Sequence, residues 1–291
     1  MNSGPARGVR IAWRGALLGA LLVLLLLGVL LRWFERRQVY QPLRALASEA
    51  SALGRPYEEV FFQATDGVRL HAWFFPVAPN SANHRFAVVF SHGNGGNLSH
   101  RLGTYELLLD LGLNVLAYDY RGYGRSQGKP SEAGTYLDAQ AAYAWLRNRG
   151  FAAGHILAYG ESLGGAIAAE LALREPVGGL ILQSAFTSLP AVGAELFPFL
   201  PVRWLASIHY DTRAKLPRVR VPVLILHGRA DSLVPFHQAE ENFAAANAPK
   251  RFCALDLDHN DPLEWDAARF KQALLEFLTL LRESVANQAT Q

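Results

Sequence analysis

Short apolar runs alternate along this chain with stretches whose apolar residues recur at helical spacing, and that alternation restricts the fold more than any other feature. The runs are Phe86–Phe90, Val115–Tyr118, Ile156–Tyr159, Leu180–Leu182, Val223–Leu226 and Phe252–Leu255. Unbroken apolar runs of this length suit strands covered on both faces. Between them, Arg101–Leu111, Tyr136–Arg147, Ser162–Arg174, His237–Ala246 and Trp265–Val285 read as helices. The series implies an α/β fold, a mostly parallel sheet with helices on both faces. Ahead of it, Val60–Phe62 and Val68–Phe74 flank Thr65-Asp66-Gly67, the form of an antiparallel hairpin. With 291 residues, 51% hydrophobic and 18% charged, the chain can bury a large core.

A different regime precedes this pattern. Gly15 to Leu31 is an apolar run of 17 residues, bounded by Trp13 and by Trp33-Phe34. With those flanks it reaches the length that crosses a bilayer. A basic start followed by an apolar middle also fits a cleaved leader. Against cleavage, Arg32-Trp33-Phe34-Glu35-Arg36-Arg37 follows the run at once, where small residues should stand. The expected plan is a basic tail over 1–14, a transmembrane anchor over 15–34, a linker over 35–57 and a folded domain over 58–287. The expected localisation is a single-pass membrane protein. Arginine greatly outnumbers lysine, a bias that accompanies GC-rich coding and points to a bacterial inner membrane. The basic excess belongs to the first forty residues, so nothing suggests a nucleic-acid surface. Lone Cys253 excludes an internal disulfide framework and reads as buried and inert.

Each apolar run ends in a polar loop, on the sheet edge where sites form in α/β folds. Gly160-Glu161-Ser162-Leu163-Gly164 follows one run directly, as the G-x-S-x-G turn that pushes a serine hydroxyl into a cleft. Ser91-His92-Gly93-Asn94-Gly95-Gly96-Asn97 follows another, and its glycines let backbone N–H groups turn toward a developing oxyanion. Asp231 and His259 lie in the loops after the last two runs. A serine hydroxyl is a weak nucleophile: it needs a histidine to take its proton and an acid to orient that histidine. Ser162, Asp231 and His259 are therefore the candidate catalytic residues, with the N–H groups of Asn94 and Leu163 as oxyanion donors. His92, His227 and Asp119 read as loop-shaping groups. No metal and no cofactor is required. Phe186 to Leu216 interrupts the alternation with three prolines and clustered aromatics. It is expected to form a small apolar cap lining the mouth of the cleft, the alternative being a plain crossover helix.

These motifs, with Tyr118-Asp119-Tyr120-Arg121-Gly122-Tyr123-Gly124-Arg125-Ser126 and His227-Gly228-x-x-Asp231, resemble the α/β-hydrolase superfamily. The resemblance is closest to membrane-associated serine hydrolases, a branch with depalmitoylase-like and aminopeptidase-like members. It implies an eight-stranded sheet and a small helical cap. Asp258 stands where that branch usually carries glycine, and an acid beside the His259 ring would favour the imidazolium. The expected activity is cleavage of an acyl ester or thioester through an acyl-serine, on a small-molecule or lipid-like acyl substrate. Two alternatives stay open. One is an aminopeptidase-like or amide hydrolase on the same residues, and the other is a non-catalytic membrane-anchored binding module.

Overall fold

The computed structural model describes residues 6–289, so the first five residues of the expected basic tail lie outside it. The chain divides into two units, Met1–Gln41 and Pro42–Gln291. Helix α1 of the first unit runs over Ala6–Val39. Within it Ala16–Val39 has a mean hydropathy of 2.5 over its most apolar window, the one helix among the described residues long and apolar enough to cross a membrane. The helix continues past the expected end at residue 34 because Arg32, Glu35, Arg36, Arg37 and Gln38 are all good helix formers. Arg32 also pairs with Glu35 one turn on, at 2.8 Å. The stretch read as linker therefore divides, its first part helical and its part from Pro42 belonging to the second unit. There the Asn97 amide donates to the carbonyls of Leu43 and Ala45, and the Ala47 N–H donates to Ser99 Oγ.

The second unit is built on one eight-stranded sheet. Its strands are β1 (Glu58–Gln63), β2 (Arg69–Phe75), β3 (Ala87–Ser91), β4 (Asn114–Tyr118), β5 (Ile156–Glu161), β6 (Gly179–Gln183), β7 (Val223–Gly228) and β8 (Lys250–Leu255). In space they run β1-β2-β4-β3-β5-β6-β7-β8. Only β1–β2 and β2–β4 pair antiparallel. The Asp66-Gly67 turn closes the first hairpin with Gly67 at φ 84°, a conformation glycine adopts without a steric penalty.

Helices α2 (Leu102–Asp110), α3 (Glu132–Asn148), α4 (Leu163–Arg174), α8 (Phe236–Ala245) and α9 (Ala267–Ala289) supply the covering layers. α9 lays Phe270, Leu274, Phe277, Leu278 and Leu281 along one face, all buried in the core with Ile181 and Leu224. Three short helices, α5 (Leu189–Leu196), α6 (Val202–Leu205) and α7 (Thr212–Lys215), form the cap between β6 and β7. Ser188 caps α5 by accepting from the Ala191 N–H.

The cap departs from expectation in one respect. The two aromatic residues at its tip turn outward rather than line the mouth: Phe199 is 98% exposed and Trp204 91%, whereas Phe186 and Tyr210 at its base are buried. Pro198 and Pro201 stop the chain from continuing α5, so the α5–α6 connection projects as a turn. Cys253 also differs from expectation. It is half-buried on the edge strand β8 rather than enclosed, although burial still raises its thiol pKa.

Candidate active site

Parallel strands place their C-terminal ends on one sheet edge, and the loops there hold the candidate groups. Ser162 sits between β5 and α4 at φ 52°, ψ −114°, a strained backbone for a residue with a Cβ. Its own N–H donates to the Gln183 carbonyl at 2.8 Å, fastening the turn to β6. The flanking glycines are a packing necessity. A Cβ on Gly160 would lie 2.1 Å from the Gly164 carbonyl oxygen, and one on Gly164 would lie 2.0 Å from that of Ser91. Both obstacles are backbone and cannot swing aside. Gly164→Ala is accordingly expected to destabilise the fold by more than about 3 kcal/mol, beyond ordinary overpacking. A thermal melt superimposable on the wild type would contradict it.

The structure brings Ser162, His259 and Asp231 together. His259 Nε2 lies 3.1 Å from Ser162 Oγ, and its Nδ1 lies 2.8 Å from Asp231 Oδ2. The other carboxylate oxygen of Asp231 accepts the N–H groups of Val234 at 2.7 Å and Leu233 at 3.1 Å. These bonds fix the carboxylate, so the imidazole meets an acceptor that is already oriented. All three side chains are largely shielded from water, which strengthens the charge–dipole interactions between them.

The N–H groups of Asn94 and Leu163 donate to no protein acceptor among the described residues. Leu163 opens α4, so its N–H is one of the four that a helix start leaves unpaired. The loop bearing Asn94 is held by its carbonyls: Tyr123 Oη donates to Asn94 O at 2.9 Å and Tyr120 Oη to His92 O at 2.7 Å. That leaves the N–H side of the loop available.

The remaining polar candidates shape loops. His92 Nδ1 bonds the Gly93 carbonyl at 2.7 Å. His227 Nε2 donates to the Val234 carbonyl at 2.8 Å, and burial lowers its pKa, which favours the neutral ring. Asp119 accepts the Leu98 N–H at 2.8 Å, with His71 and His92 near its oxygens. Burial pushes its carboxyl up, but those partners outweigh burial and hold it below the usual range. Asp258 turns to backbone instead of the imidazole ring. Its Oδ1 accepts the N–H of His259 at 2.6 Å and that of Ser232 at 2.7 Å, tying the histidine loop to the aspartate loop. Those backbone N–H bonds lower its pKa.

One pair at the site was not among the sequence candidates. Arg101 Nη2 meets Glu161 Oε1 at 2.9 Å, and Nη1 of the same guanidinium donates to the Gly95 carbonyl at 2.9 Å. A single side chain thus joins the residue before Ser162 to the glycine-rich loop. Burial raises the Glu161 pKa, yet the Arg101 charge and hydrogen bonds prevail and leave it below normal. The variable position inside G-x-S-x-G was the available signal, because a charged residue held inside a tight turn needs a partner.

A sheet in this order, with a serine on a strained strand-to-helix turn and a histidine–aspartate pair from later loops, is the architecture of an α/β hydrolase. The serine aminopeptidase S33 family model matches residues 82–215. An uncharacterized protein of Mycobacterium tuberculosis is 39% identical over 84% of this chain and 87% of its own length. The α/β-hydrolase domain-containing protein WAV2 of Arabidopsis thaliana is 33% identical over 76% of this chain and 78% of that protein. Among solved structures, the esterase Pf2001 of Pyrococcus furiosus superposes with a TM-score of 0.69 at 22% identity, covering 84% of this chain and 98% of that one. The chain belongs to the α/β-hydrolase superfamily.

Proposed function

We propose that this protein is a membrane-anchored serine hydrolase that cleaves an acyl ester or thioester through an acyl-serine intermediate. The observation that carries the reading is the continuous path Ser162 Oγ–His259 Nε2–His259 Nδ1–Asp231 Oδ2, with steps of 3.1 and 2.8 Å across the ring's two sides. With the ring proton on Nδ1, hydrogen-bonded to Asp231 Oδ2, Nε2 is free to accept from the serine hydroxyl.

Ser162 Oγ attacks the acyl carbon as its proton passes to His259, and the carbonyl oxygen becomes an oxyanion held by the Asn94 and Leu163 N–H groups. Collapse of this adduct breaks the bond to the leaving group. An alcohol leaves with the proton from His259, whereas a thiol, the stronger acid, leaves more readily. Water activated by the same imidazole then attacks the acyl-serine and returns Ser162. The anchor role of α1 is part of this proposal and is supported by its length and composition.

The S33 family match over residues 82–215 favours a second reading, removal of an amino-terminal residue. Binding an α-ammonium group requires a free carboxylate near the serine. The acids closest in the sequence are engaged, Glu161 with Arg101 and Asp258 with Ser232 and the His259 backbone. The full chain should therefore show higher kcat/KM on acyl esters and acyl thioesters than on amino-acid anilides. It should also be labelled covalently by a fluorophosphonate. Faster anilide cleavage would replace the ester reading with the peptidase one. Failure of the wild type to label would remove the serine hydrolase reading altogether.

A further inference from the structure

The tip of the cap has no role in the chemistry above, and its composition is unusual for a surface exposed to water. The segment Leu196-Phe197-Pro198-Phe199-Leu200-Pro201-Val202-Arg203-Trp204-Leu205 contains no acidic residue. Leu196, Phe197, Phe199, Leu200, Trp204 and Leu205 are all exposed large apolar side chains. Phe199 and Trp204 together present about 300–400 Å², and apolar patches beyond a few hundred Å² on a soluble surface mark interaction sites.

The tip is also built to hold its shape. α5 and α6 close on each other where Val202 Cγ1 packs over Gly193. A Cβ there would come within 2.9 Å of that methyl, so a small residue is needed at the crossing. Two prolines stiffen the turn between the helices. A rigid turn with exposed aromatics costs little ordering entropy when it enters another phase.

We infer that this tip docks into the surface of a lipid bilayer, with Phe199 and Trp204 at the headgroup–acyl boundary. The inference rests on the membrane-anchored reading of α1, and three observations favour lipid as the occupant. Tryptophan and phenylalanine beside an arginine form the side-chain set of interfacial segments. Arg203 is exposed with no acidic partner among the described residues, so its charge is available to anionic headgroups. Leu43, a few residues past the end of α1 and itself exposed, exchanges backbone hydrogen bonds with Gly96 and Gly124. Leu43 thus lies beside the glycine-rich loop, on the sheet edge that also carries the cap. Docking there would present the Ser162 cleft to acyl groups borne by the bilayer.

The test uses the full chain in phosphatidylcholine vesicles containing phosphatidylglycerol. Dibrominated phosphatidylcholine should quench the tryptophan emission of the wild type more than that of Trp204→Phe. Phe199→Ser/Trp204→Ser should lose roughly tenfold in kcat/KM on a vesicle-borne acyl ester, with unchanged turnover of a short soluble ester and unchanged fluorophosphonate labelling. Equal quenching of wild type and Trp204→Phe would overturn the inference. An equal loss on both esters would do so as well, because it would make these side chains part of the substrate cleft. Protection of Trp204 from acrylamide without bromolipid quenching would assign the tip to a protein partner or a second copy instead. Extraction with alkaline carbonate separates this inference from the anchor. Retention in the membrane with equal quenching of wild type and Trp204→Phe sinks the docking alone. Release, with the Trp204-dependent part of the quenching restored on added vesicles, sinks the anchor and keeps the docking.

Discussion

Replacing Ser162 by alanine is expected to lower kcat for acyl-ester hydrolysis roughly a millionfold, as for a nucleophile that acts as one unit with its base and acid. That corresponds to about 8 kcal/mol of transition-state stabilisation. The fold should survive, because the hydrogen bond lost with the hydroxyl is the one to His259 Nε2, while the backbone bond from Ser162 N–H to Gln183 remains. The strained φ of 52° is required of alanine as much as of serine, so the turn keeps its cost in both proteins. Residual turnover should reflect substrate binding and the two oxyanion donors alone. Intact-mass analysis after fluorophosphonate treatment checks the assignment directly: the wild type gains one adduct and Ser162→Ala gains none. Undiminished labelling and turnover in the variant would remove Ser162 from the role of nucleophile.

The sheet was legible because its central strands are covered on both faces: five of the six apolar runs lie wholly in a strand of the final fold, and the sixth, Phe86–Phe90, does so from Ala87 on. Errors fall at the ends. β7 runs on through His227 and Gly228 and β8 begins at Lys250, since backbone pairing extends a strand past its apolar positions. Helix propensity also carries α1 beyond its apolar run, which a reading by hydrophobicity alone misses. Ser162, Asp231 and His259 were legible because chain order and sheet edge together restrict which loops can meet. The Arg101–Glu161 contact was not, because its partners are 60 residues apart and no local pattern joins them. The direction of the cap aromatics was equally hidden. Prolines and aromatics predict a cap, but the close α5–α6 crossing at Gly193 and Val202 is a contact that no local sequence pattern announces.

Asp231→Asn is the second large effect, and its sign follows from hydrogen-bond direction. The Val234 and Leu233 N–H groups point at Asp231 Oδ1 and will hold the amide oxygen of an asparagine in the same place. The amide NH2 must then face His259 Nδ1, now 2.8 Å from a carboxylate oxygen. An NH2 donates and cannot accept, so the imidazole carries its proton on Nε2, pointed at Ser162 Oγ. In that tautomer the ring cannot take the serine proton, and kcat should fall roughly 10⁴-fold with the fold retained. His227 gives no relief. Its Nε2 lies 3.3 Å from Asp231 Oδ2 but already donates to Val234, and burial favours its neutral form. Asp258→Asn supplies the control, because that carboxylate bonds Ser232 and the His259 backbone and not the ring. It should cost less than about tenfold, an effect on loop geometry alone. Steady-state kinetics on one acyl ester, with melts to show that both variants fold, decides between the two acids. A larger loss in Asp258→Asn than in Asp231→Asn would transfer the orienting role to Asp258.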